Sequence, residues 1–175
     1  MALRDIELLG SEVLRTPARE VEDFDEDLRS LVDDMFETMY AAEGAGLAGP
    51  QVGQSRRVLV LDVQEAPDQE RTRLALVNPR VMESSDRTDR EPEGCLSIPG
   101  VSDVVRRPSS VTVEGFDPHG NPVRHEAEGL LARVLQHEID HLDGVLFIDR
   151  LSPLKRRLLL RRYRKLQGEA AEGVS

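Results

Sequence analysis

The sequence predicts an α+β fold in which mainly antiparallel β-sheets pack around a central helix, with a further helix at the C-terminus. Amphipathic helical patterns and short aliphatic runs are interspersed without regular strand–helix alternation, and turn-forming residues between the runs indicate hairpins. The chain has 175 residues, of which 39% are hydrophobic, enough for one core. We therefore expect a single domain over residues 1–168 and a frayed tail over residues 169–175.

The first predicted helix covers residues 25–42. Its apolar residues recur at positions i, i+3, i+4, i+7 and i+11, which form one face of a helix. These residues are Leu28, Leu31, Val32, Met35 and Met39. Gly44 follows the pattern and can end the helix.

Four short aliphatic or β-branched runs are predicted to be strands that pair as two hairpins. The first hairpin joins residues 57–63 to residues 74–77 through an acidic loop. The second joins residues 111–116 to residues 123–128 through a turn rich in Pro, Gly and Asn. The glycine-rich segment 44–53, which precedes the first hairpin, is predicted to be a loop.

Two further helices are predicted in the C-terminal half. Residues 130–142 show a helical apolar pattern that Gly144 ends. A basic helix over residues 152–167 begins at a Ser-Pro pair, in which serine is the N-cap and proline occupies the first turn. This helix is expected to end near Gly168.

The charge distribution is uneven. The net charge is -10, yet residues 150–166 contain eight Lys or Arg and no acid, which leaves 15 basic residues against 33 acidic ones elsewhere. Such a block is either a solvated helix face or a contact for a polyanion such as RNA. The 3% aromatic content argues against surfaces that stack single-stranded bases. No apolar run suits a membrane span or a secretory signal, so a soluble, cytoplasmic protein is expected.

The sequence His-Glu-Ile-Asp-His at residues 137–141 lies within the second predicted helix. Helical geometry places His137, Glu138 and His141 on one face, with Ile139 turned toward the core. A helix with two solvated or hydrogen-bonded histidines and an exposed glutamate is the alternative interpretation. The apolar residues before the motif instead favour a buried helix, in which two imidazoles need a partner such as a metal ion.

A catalytic metal site of this kind needs a third protein ligand and keeps one position for water. The segment after His141 offers no further histidine, and Asp143 lies too close along the chain. Cys95, the only cysteine, is the best remaining candidate, although a buried and inert thiol is the alternative. The ligand set would accept Fe(II), Zn, Ni or Co. The metal would lower the pKa of its bound water, and Glu138 is placed to act as the general base.

Residues 44–49 fit the pattern G-x-G-x-x-G, which can indicate a dinucleotide site. Here a helix precedes the glycines and a strand follows them, the reverse of that fingerprint, so no nucleotide cofactor is expected. The segment is either a tight connection or a place where a substrate backbone approaches closely. In the second case the Gln51 amide would be a polar contact.

Three segments, residues 44–51, 93–97 and 136–141, resemble the three signature motifs of the peptide deformylase family in order and spacing. The resemblance extends over nearly the whole chain. It implies a single catalytic domain that hydrolyses the N-formyl group from the N-terminal formyl-methionine of nascent polypeptides and releases formate. Metal-bound water would attack the formyl carbon in this step of N-terminal methionine processing during protein biosynthesis.

The resemblance also implies roles for individual residues. One divalent metal per chain, natively Fe(II) and replaceable by Zn, Ni or Co, would be held by Cys95, His137 and His141. Glu138 would carry the proton from the water to the departing amine. The side-chain amide of Gln51 and the backbone N–H of Leu96 would stabilise the oxyanion.

The substrate backbone is expected to add as a strand beside Ala45, Gly46 and Gly94. Its methionine side chain would enter an apolar pocket with Leu130 and Val134 as walls. By the same resemblance, Arg107 would pair with Asp140 and orient the helix; a surface ion pair is the alternative. The basic C-terminal helix would contact the ribosome, with a solvated face as its alternative.

The chain departs from the usual family pattern at two positions. Family members commonly carry a bulky aliphatic residue at the place of Ala45 and alanine at that of Gly49, so a smaller and more flexible loop is expected here. Two other functions remain open. One is a metallopeptidase that cuts internal bonds, and the other is a metal-stapled RNA-binding module, although the spare histidines His119 and His125 match no ligand spacing.

Overall fold

The computed structural model describes residues 2–173, and side chains through residue 169. This part of the chain contains three α-helices and seven strands. The helices are α1 (Glu26–Ala41), α2 (Gly129–Leu142) and α3 (Pro153–Gly173). The strands are β1 (Gly46–Ala48), β2 (Val58–Val63), β3 (Thr72–Ser84), β4 (Thr88–Cys95), β5 (Ile98–Pro108), β6 (Ser110–Phe116) and β7 (Pro122–Glu128). Short 3₁₀ helices cover Glu12–Arg15, Gly49–Val52 and Phe147–Arg150.

All strand pairs in the two sheets are antiparallel. Five strands form one sheet in the order β1-β2-β3-β6-β7, and β4 pairs with β5 as a separate hairpin. The predicted α+β class is confirmed. No helix in the described part of the chain combines the length and apolarity that crossing a membrane requires.

The two faces of the five-stranded sheet are covered by different helices. Leu59 and Leu61 of β2 pack with α2, whereas Val58 and Val60 pack with the buried stripe of α1. Burial on both faces explains why the first four residues of β2 are all apolar. A third cluster joins β5 to α3, where Leu159 and Tyr163 are buried. The helix with the H-E-x-x-H sequence is thus held between the sheet and the β4–β5 hairpin.

The first helix matches its prediction except at its end. Asp25 is the N-cap and accepts a hydrogen bond from Leu28 N at 3.0 Å. At the other end Glu43, with φ of 57°, adopts the left-handed conformation, and Gly44 N donates to Met39 O. Gly44 is therefore not the residue whose backbone freedom ends the helix.

The strand predictions were wrong in three places. Residues 46–48 of the predicted loop form β1, and β3 extends well past residue 77. A bulge at Asn78 interrupts the β3 pattern, since the register with β6 shifts there. The β4–β5 hairpin was missed because β4 is mostly polar and has no alternating apolar pattern.

The helix boundaries near the C-terminus also differ from the prediction. Gly144, with φ of 76°, follows α2 as expected, and Ser152 Oγ accepts from Lys155 N at 3.3 Å at the start of α3. The helix does not end near Gly168 but continues to Gly173. The frayed tail over residues 169–175 stays a prediction, and its last two residues lie outside the described part.

Candidate metal centre and catalytic site

The three predicted metal ligands lie together between the hairpin and the central helix. Cys95 ends β4, and His137 and His141 project from α2. Their ligand atoms all lie within 4.8 Å of one another, and Cys95 Sγ is 3.3 Å from His141 Nε2. A tetrahedral ion with ordinary metal–sulfur and metal–nitrogen bonds would separate such atoms by about 3.5 Å. The geometry therefore fits a single metal ion.

The chemistry of the donors and of their neighbours fits a divalent metal. One thiolate and two imidazoles suit Fe(II), Zn, Ni or Co, and three protein ligands keep a fourth position for water. Among the described residues, Glu138 Oε1 and His141 Nδ1 are buried without a hydrogen-bond partner. Buried polar atoms normally have partners, so the Glu138 oxygen indicates a polar group in the site, whereas His141 Nδ1 is not the ring nitrogen that faces Cys95.

Glu138 is buried beside this ligand group, where the residue opposite it, Gly46, has no side chain. A Cβ added at Gly46 would lie 2.6 Å from Glu138 Oε2, so only glycine leaves room for this carboxyl group. Burial raises the pKa of Glu138 to about 7. A carboxyl group with this pKa can both accept and donate a proton near neutral pH.

Glu93, which the sequence prediction overlooked, orients one of the ligands. Its Oε1 accepts from His137 Nδ1 at 2.9 Å, which leaves Nε2 of that ring for the metal. Two arginines bind the same carboxylate: Arg107 at 2.6 and 2.9 Å and Arg133 at 2.6 Å. Burial raises the pKa of Glu93, but the hydrogen bonds from His137 and Arg107 outweigh it and hold the pKa at about 2.

The two histidines have opposite electrostatic surroundings. Burial acts to lower the pKa of His137, yet nearby acidic groups, chiefly Glu138, raise it well above its ordinary value. Burial lowers the pKa of His141 well below its ordinary value, and the charge of His137 adds to this effect. Metal binding needs both rings neutral, so metal occupancy should fall at low pH.

Arg107 contacts both Glu93 and Asp140, the residue that precedes the ligand His141. Arg107 is buried and donates to Asp140 Oδ2 at 2.9 Å, so the predicted pair is present and is not a surface ion pair. Arg150 also donates to Asp140, at 2.8 Å. These contacts connect α2 to β5 and to the 3₁₀ helix that follows α2.

Gln51 and Leu96 lie beside the ligand group. The side chain of Gln51 is buried, and its Oε1 accepts from Ala48 N at 3.0 Å. Its Nε2 is 3.1 Å from Ser97 Oγ and 3.5 Å from Cys95 Sγ. Leu96 is the first of the two turn residues that connect β4 to β5. Both residues line the cavity beside Cys95, and their role as oxyanion donors stays a prediction.

A cavity of about 590 Å³ opens onto Glu138 and His137. All five residues predicted to contact the substrate line it: Ala45, Gly46, Gly94, Leu130 and Val134. Their contacts with a substrate stay predictions. Arg133 also lines the cavity, where it donates to the carbonyl groups of Val105 and Asp89.

Two signals in the sequence could have revealed the overlooked residues. Glu93 stands two residues before Cys95, and residues two apart on a strand point to the same side. Arg133 stands four residues before His137, on the same helix face. The first signal is informative only if β4 is recognised as a strand. The second is informative only if Glu93 is already known to be the partner of Arg133.

Together, the fold and this site define a metal-dependent hydrolase, in which a carboxyl group adjoins three metal-ligating side chains at the end of an accessible cavity. The sequence model of the polypeptide deformylase family matches residues 3–157. The chain belongs to the polypeptide deformylase family. The resemblance seen in the three motifs is therefore confirmed, and it outweighs the two alternative functions.

Known relatives and solved structures are similar to this chain over almost its whole length. The peptide deformylase of Brucella suis biovar 1 is 45% identical over 171 residues, which cover 98% of this chain and 97% of the relative. That of Acidothermus cellulolyticus is 49% identical over 167 residues, 95% of this chain and 89% of the relative.

Among solved structures, the peptide deformylase from Legionella pneumophila matches with a TM-score of 0.88 at 46% identity, covering 97% of this chain and 98% of that one. The enzyme from Ehrlichia chaffeensis in complex with actinonin matches with a TM-score of 0.88 at 40% identity, covering 94% of this chain and 98% of that one.

Proposed function

We propose that this chain hydrolyses the N-formyl group of formyl-methionine at the N-terminus of nascent polypeptides and releases formate. The observation that carries the proposal is the group Cys95, His137 and His141 with Glu138 beside it, in a chain of the polypeptide deformylase family. A bound divalent metal would supply Lewis-acid chemistry for water and for the formyl oxygen.

Glu138 moves the protons in this reaction. Its carboxylate takes a proton from the attacking water and later gives it to the methionine amine as the bond to the formyl carbon breaks. In the metal-free site burial raises the pKa of Glu138 to about 7, and a bound cation would favour the carboxylate, the form that accepts the proton from water.

Gln51 and Leu96 stabilise the negative charge that develops on the formyl oxygen. The Gln51 amide is held by Ala48 and Ser97, so little reorganisation is needed when the charge appears. The Leu96 N–H belongs to a tight two-residue turn, which restricts its direction.

The substrate peptide binds in an extended conformation along the cavity. Strand β1 stands at the edge of the five-stranded sheet, and Gly46 at its start lines the cavity, as do Ala45 and Gly94. An edge strand can pair with an added strand through its backbone. The methionine side chain is received between Leu130 and Val134.

The native metal is Fe(II), and the protein acts in the cytoplasm, where nascent chains are made and thiols stay reduced. The soft Cys95 thiolate with two imidazoles supports Fe(II) and equally accepts Zn, Ni or Co. The metal contained in protein purified without air, measured by elemental analysis, tests this proposal. A preparation that holds only zinc would contradict it.

Formate release from formyl-Met-Ala-Ser tests the reaction. Protein loaded with Fe(II) without air, or with Ni(II), is expected to release formate, and Glu138→Gln is expected to lose about 10²- to 10⁴-fold in kcat. Metal content is measured in both proteins, so that loss of metal is not mistaken for loss of the base. No release from the metal-loaded wild type would overturn the proposal.

We further propose that α3 contacts ribosomal RNA. Its basic residues lie on the exposed side of the helix: Lys155, Arg157, Arg161, Arg162, Arg164 and Lys165. Leu159 and Tyr163 on the other side are buried in the core. Deleting the helix would remove those core residues, so a deletion cannot separate binding from folding.

Charge substitutions test this contact without disturbing the core. The triple variant Arg157→Gln, Arg161→Gln, Arg164→Gln is expected to co-sediment less with ribosomes and to show a weaker salt dependence. The matched control neutralises Arg80, Arg87 and Arg90, which are exposed on β3 and β4 or between them. Equal co-sedimentation of wild type and both triple variants would show that the basic face is merely solvated.

A further inference from the structure

The N-terminus of α2 is capped by a residue from a distant loop. The N-cap residue Glu128 makes no side-chain capping hydrogen bond. Glu65 supplies the missing acceptors from the loop between β2 and β3: Oε2 accepts from Leu130 N at 3.0 Å, and Oε1 accepts from Leu131 N at 2.9 Å. The first amides of a helix need such partners, and a carboxylate there also interacts favourably with the helix dipole.

The backbone at the start of α2 accommodates this carboxylate. Gly129 has φ of 62°, a conformation that other residues rarely adopt, and a Cβ added there would lie 2.9 Å from Glu65 Oε2. Two features, the paired hydrogen bonds and the open space at Gly129, therefore place Glu65 at this helix end.

Glu65 binds the least buried turn of α2, in which Gly129 and Leu130 are exposed and Leu131 is only partly buried against the core. Later residues such as Ala132 and Leu135 are fully buried against the sheet. Leu130, in contrast, has 41% of its surface exposed while it lines the substrate cavity. With little packing around it, the position of Leu130 depends on the backbone of the first turn.

We infer that Glu65 is a positioning residue for substrate binding, which fixes the first turn of α2 and thereby places Leu130 as a wall of the methionine pocket. This inference rests on the proposed function for its effect on the substrate. The contact between the loop and the helix can be tested without any activity. Glu65 itself touches no reacting atom and serves the reaction only through Leu130.

Hydrogen exchange tests the capping contact directly. In Glu65→Ala the amides of Leu130 and Leu131 are expected to exchange about tenfold faster, because they lose their acceptors. Glu70→Ala, an exposed acid of the same loop, is the matched control and should leave both rates as in the wild type. Equal exchange in Glu65→Ala and the wild type would overturn the inference, whatever the activity of the protein.

Kinetics with formyl-Met-Ala-Ser test the effect on the pocket. Glu65→Ala is expected to raise KM about three- to tenfold with kcat unchanged within about twofold, since uniform substrate binding is weakened. In a Leu130→Ala background the same change should have no further effect on KM, because the side chain that it positions is gone. A full KM effect in that background, or an equal loss in kcat, would contradict positioning through Leu130.

A capping residue within the chain segment of α2 itself should rescue the Glu65→Ala variant. Glu128→Asp places a short carboxylate at the N-cap position, where it can accept from the first-turn amides. The double variant Glu65→Ala, Glu128→Asp should recover both amide protection and KM. Recovery of protection without recovery of KM would count against the link to the pocket. If the wild type released no formate, only the proposed function would be overturned. The hydrogen-exchange measurement would still show whether Glu65 caps the helix.

Discussion

At the scale of single residues, two glycines of the 44–51 segment leave room for different groups. Gly46 accommodates the Glu138 carboxyl group. Gly49 was expected to make the loop more flexible, but it is buried, and an added Cβ would lie 2.6 Å from Arg56 O and 2.8 Å from Gln54 O. The following backbone therefore packs tightly against Gly49, and the greater flexibility expected from Ala45 and Gly49 stays a prediction.

Gly46→Ala should lower kcat for formyl-Met-Ala-Ser by about 10²-fold. The new methyl group would displace the Glu138 carboxyl group, and a misplacement of about 1 Å in a catalytic group can have this effect. Steady-state kinetics with metal-loaded protein measure it. The metal content should stay as in the wild type because Gly46 contributes no ligand, and an unchanged kcat would show that the carboxyl group can move without loss.

Gly49→Ala should destabilise this chain by about 1–3 kcal/mol, although relatives commonly carry alanine there. The added methyl group meets two backbone carbonyls that cannot rotate away, which is the usual effect of overpacking. Urea unfolding measures the change. Gly168→Ala in α3 is the matched control, because a Cβ there meets no atom within 4 Å and alanine favours a helix. Equal stability of Gly49→Ala and the wild type would disprove the tight packing.

At the scale of secondary-structure elements, the metal ligands come from two elements that are distant in the sequence. Cys95 comes from the β4–β5 hairpin and both histidines come from α2. Glu93 of β4 forms a second connection, because it binds His137 and Arg133 of the same helix. The hairpin and the helix are therefore held together by the metal and by a buried ionic network.

Removing the metal should lower the thermal stability. A metal present at about 100 times its Kd adds about 2.7 kcal/mol of stability, which corresponds to roughly 5–10 °C in Tm for a chain of this size. Calorimetry of metal-loaded protein with and without a chelator measures this shift. Cys95→Ser should show a much smaller shift because it lacks one ligand. An equal Tm with and without the chelator would mean that the metal does not connect the two elements.

At the scale of the whole molecule, Asp149 joins the first 3₁₀ helix, which is distant in sequence, to the start of α3. It pairs with Arg15 of the first 3₁₀ helix and with Arg156 of α3, and it accepts from Leu146 N at 2.9 Å. Burial raises the pKa of Asp149, but the Arg15 hydrogen bond and the other contacts outweigh it and hold the pKa below its ordinary value. The carboxylate thus connects the first 3₁₀ helix and the start of α3 to the 3₁₀ helix that follows α2.

Asp149→Asn should therefore lower stability in a pH-dependent way. Because the pKa is lowered in the folded state, the contribution is fully present above the unfolded pKa of about 4 and is lost as pH falls through the folded pKa. The difference of about 1 kcal/mol between wild type and variant should be equal at pH 7 and pH 5 and smaller at pH 3. Urea unfolding of both metal-free proteins measures it. A difference that stays constant down to pH 3 would exclude the charge as its source.

The sequence by itself determined the parts of this protein that depend on local periodicity. The apolar stripe of α1, the helix with its H-E-x-x-H face and the Ser-Pro start of α3 all arise from interactions within a few residues. Cys95 as the third ligand followed because it is the only cysteine. The family followed from three short motifs whose spacing is itself a property of the sequence.

Only the tertiary structure decided which distant residues complete the site. Glu93 meets His137 across 44 residues, and Glu65 meets Leu130 across 65. The largely polar strand β4 gave no pattern to place Glu93, and the tight contact at Gly49 depends on how the next loop folds back. Such contacts depend on packing across the whole molecule, and the period of one segment does not say which distant segment packs against it.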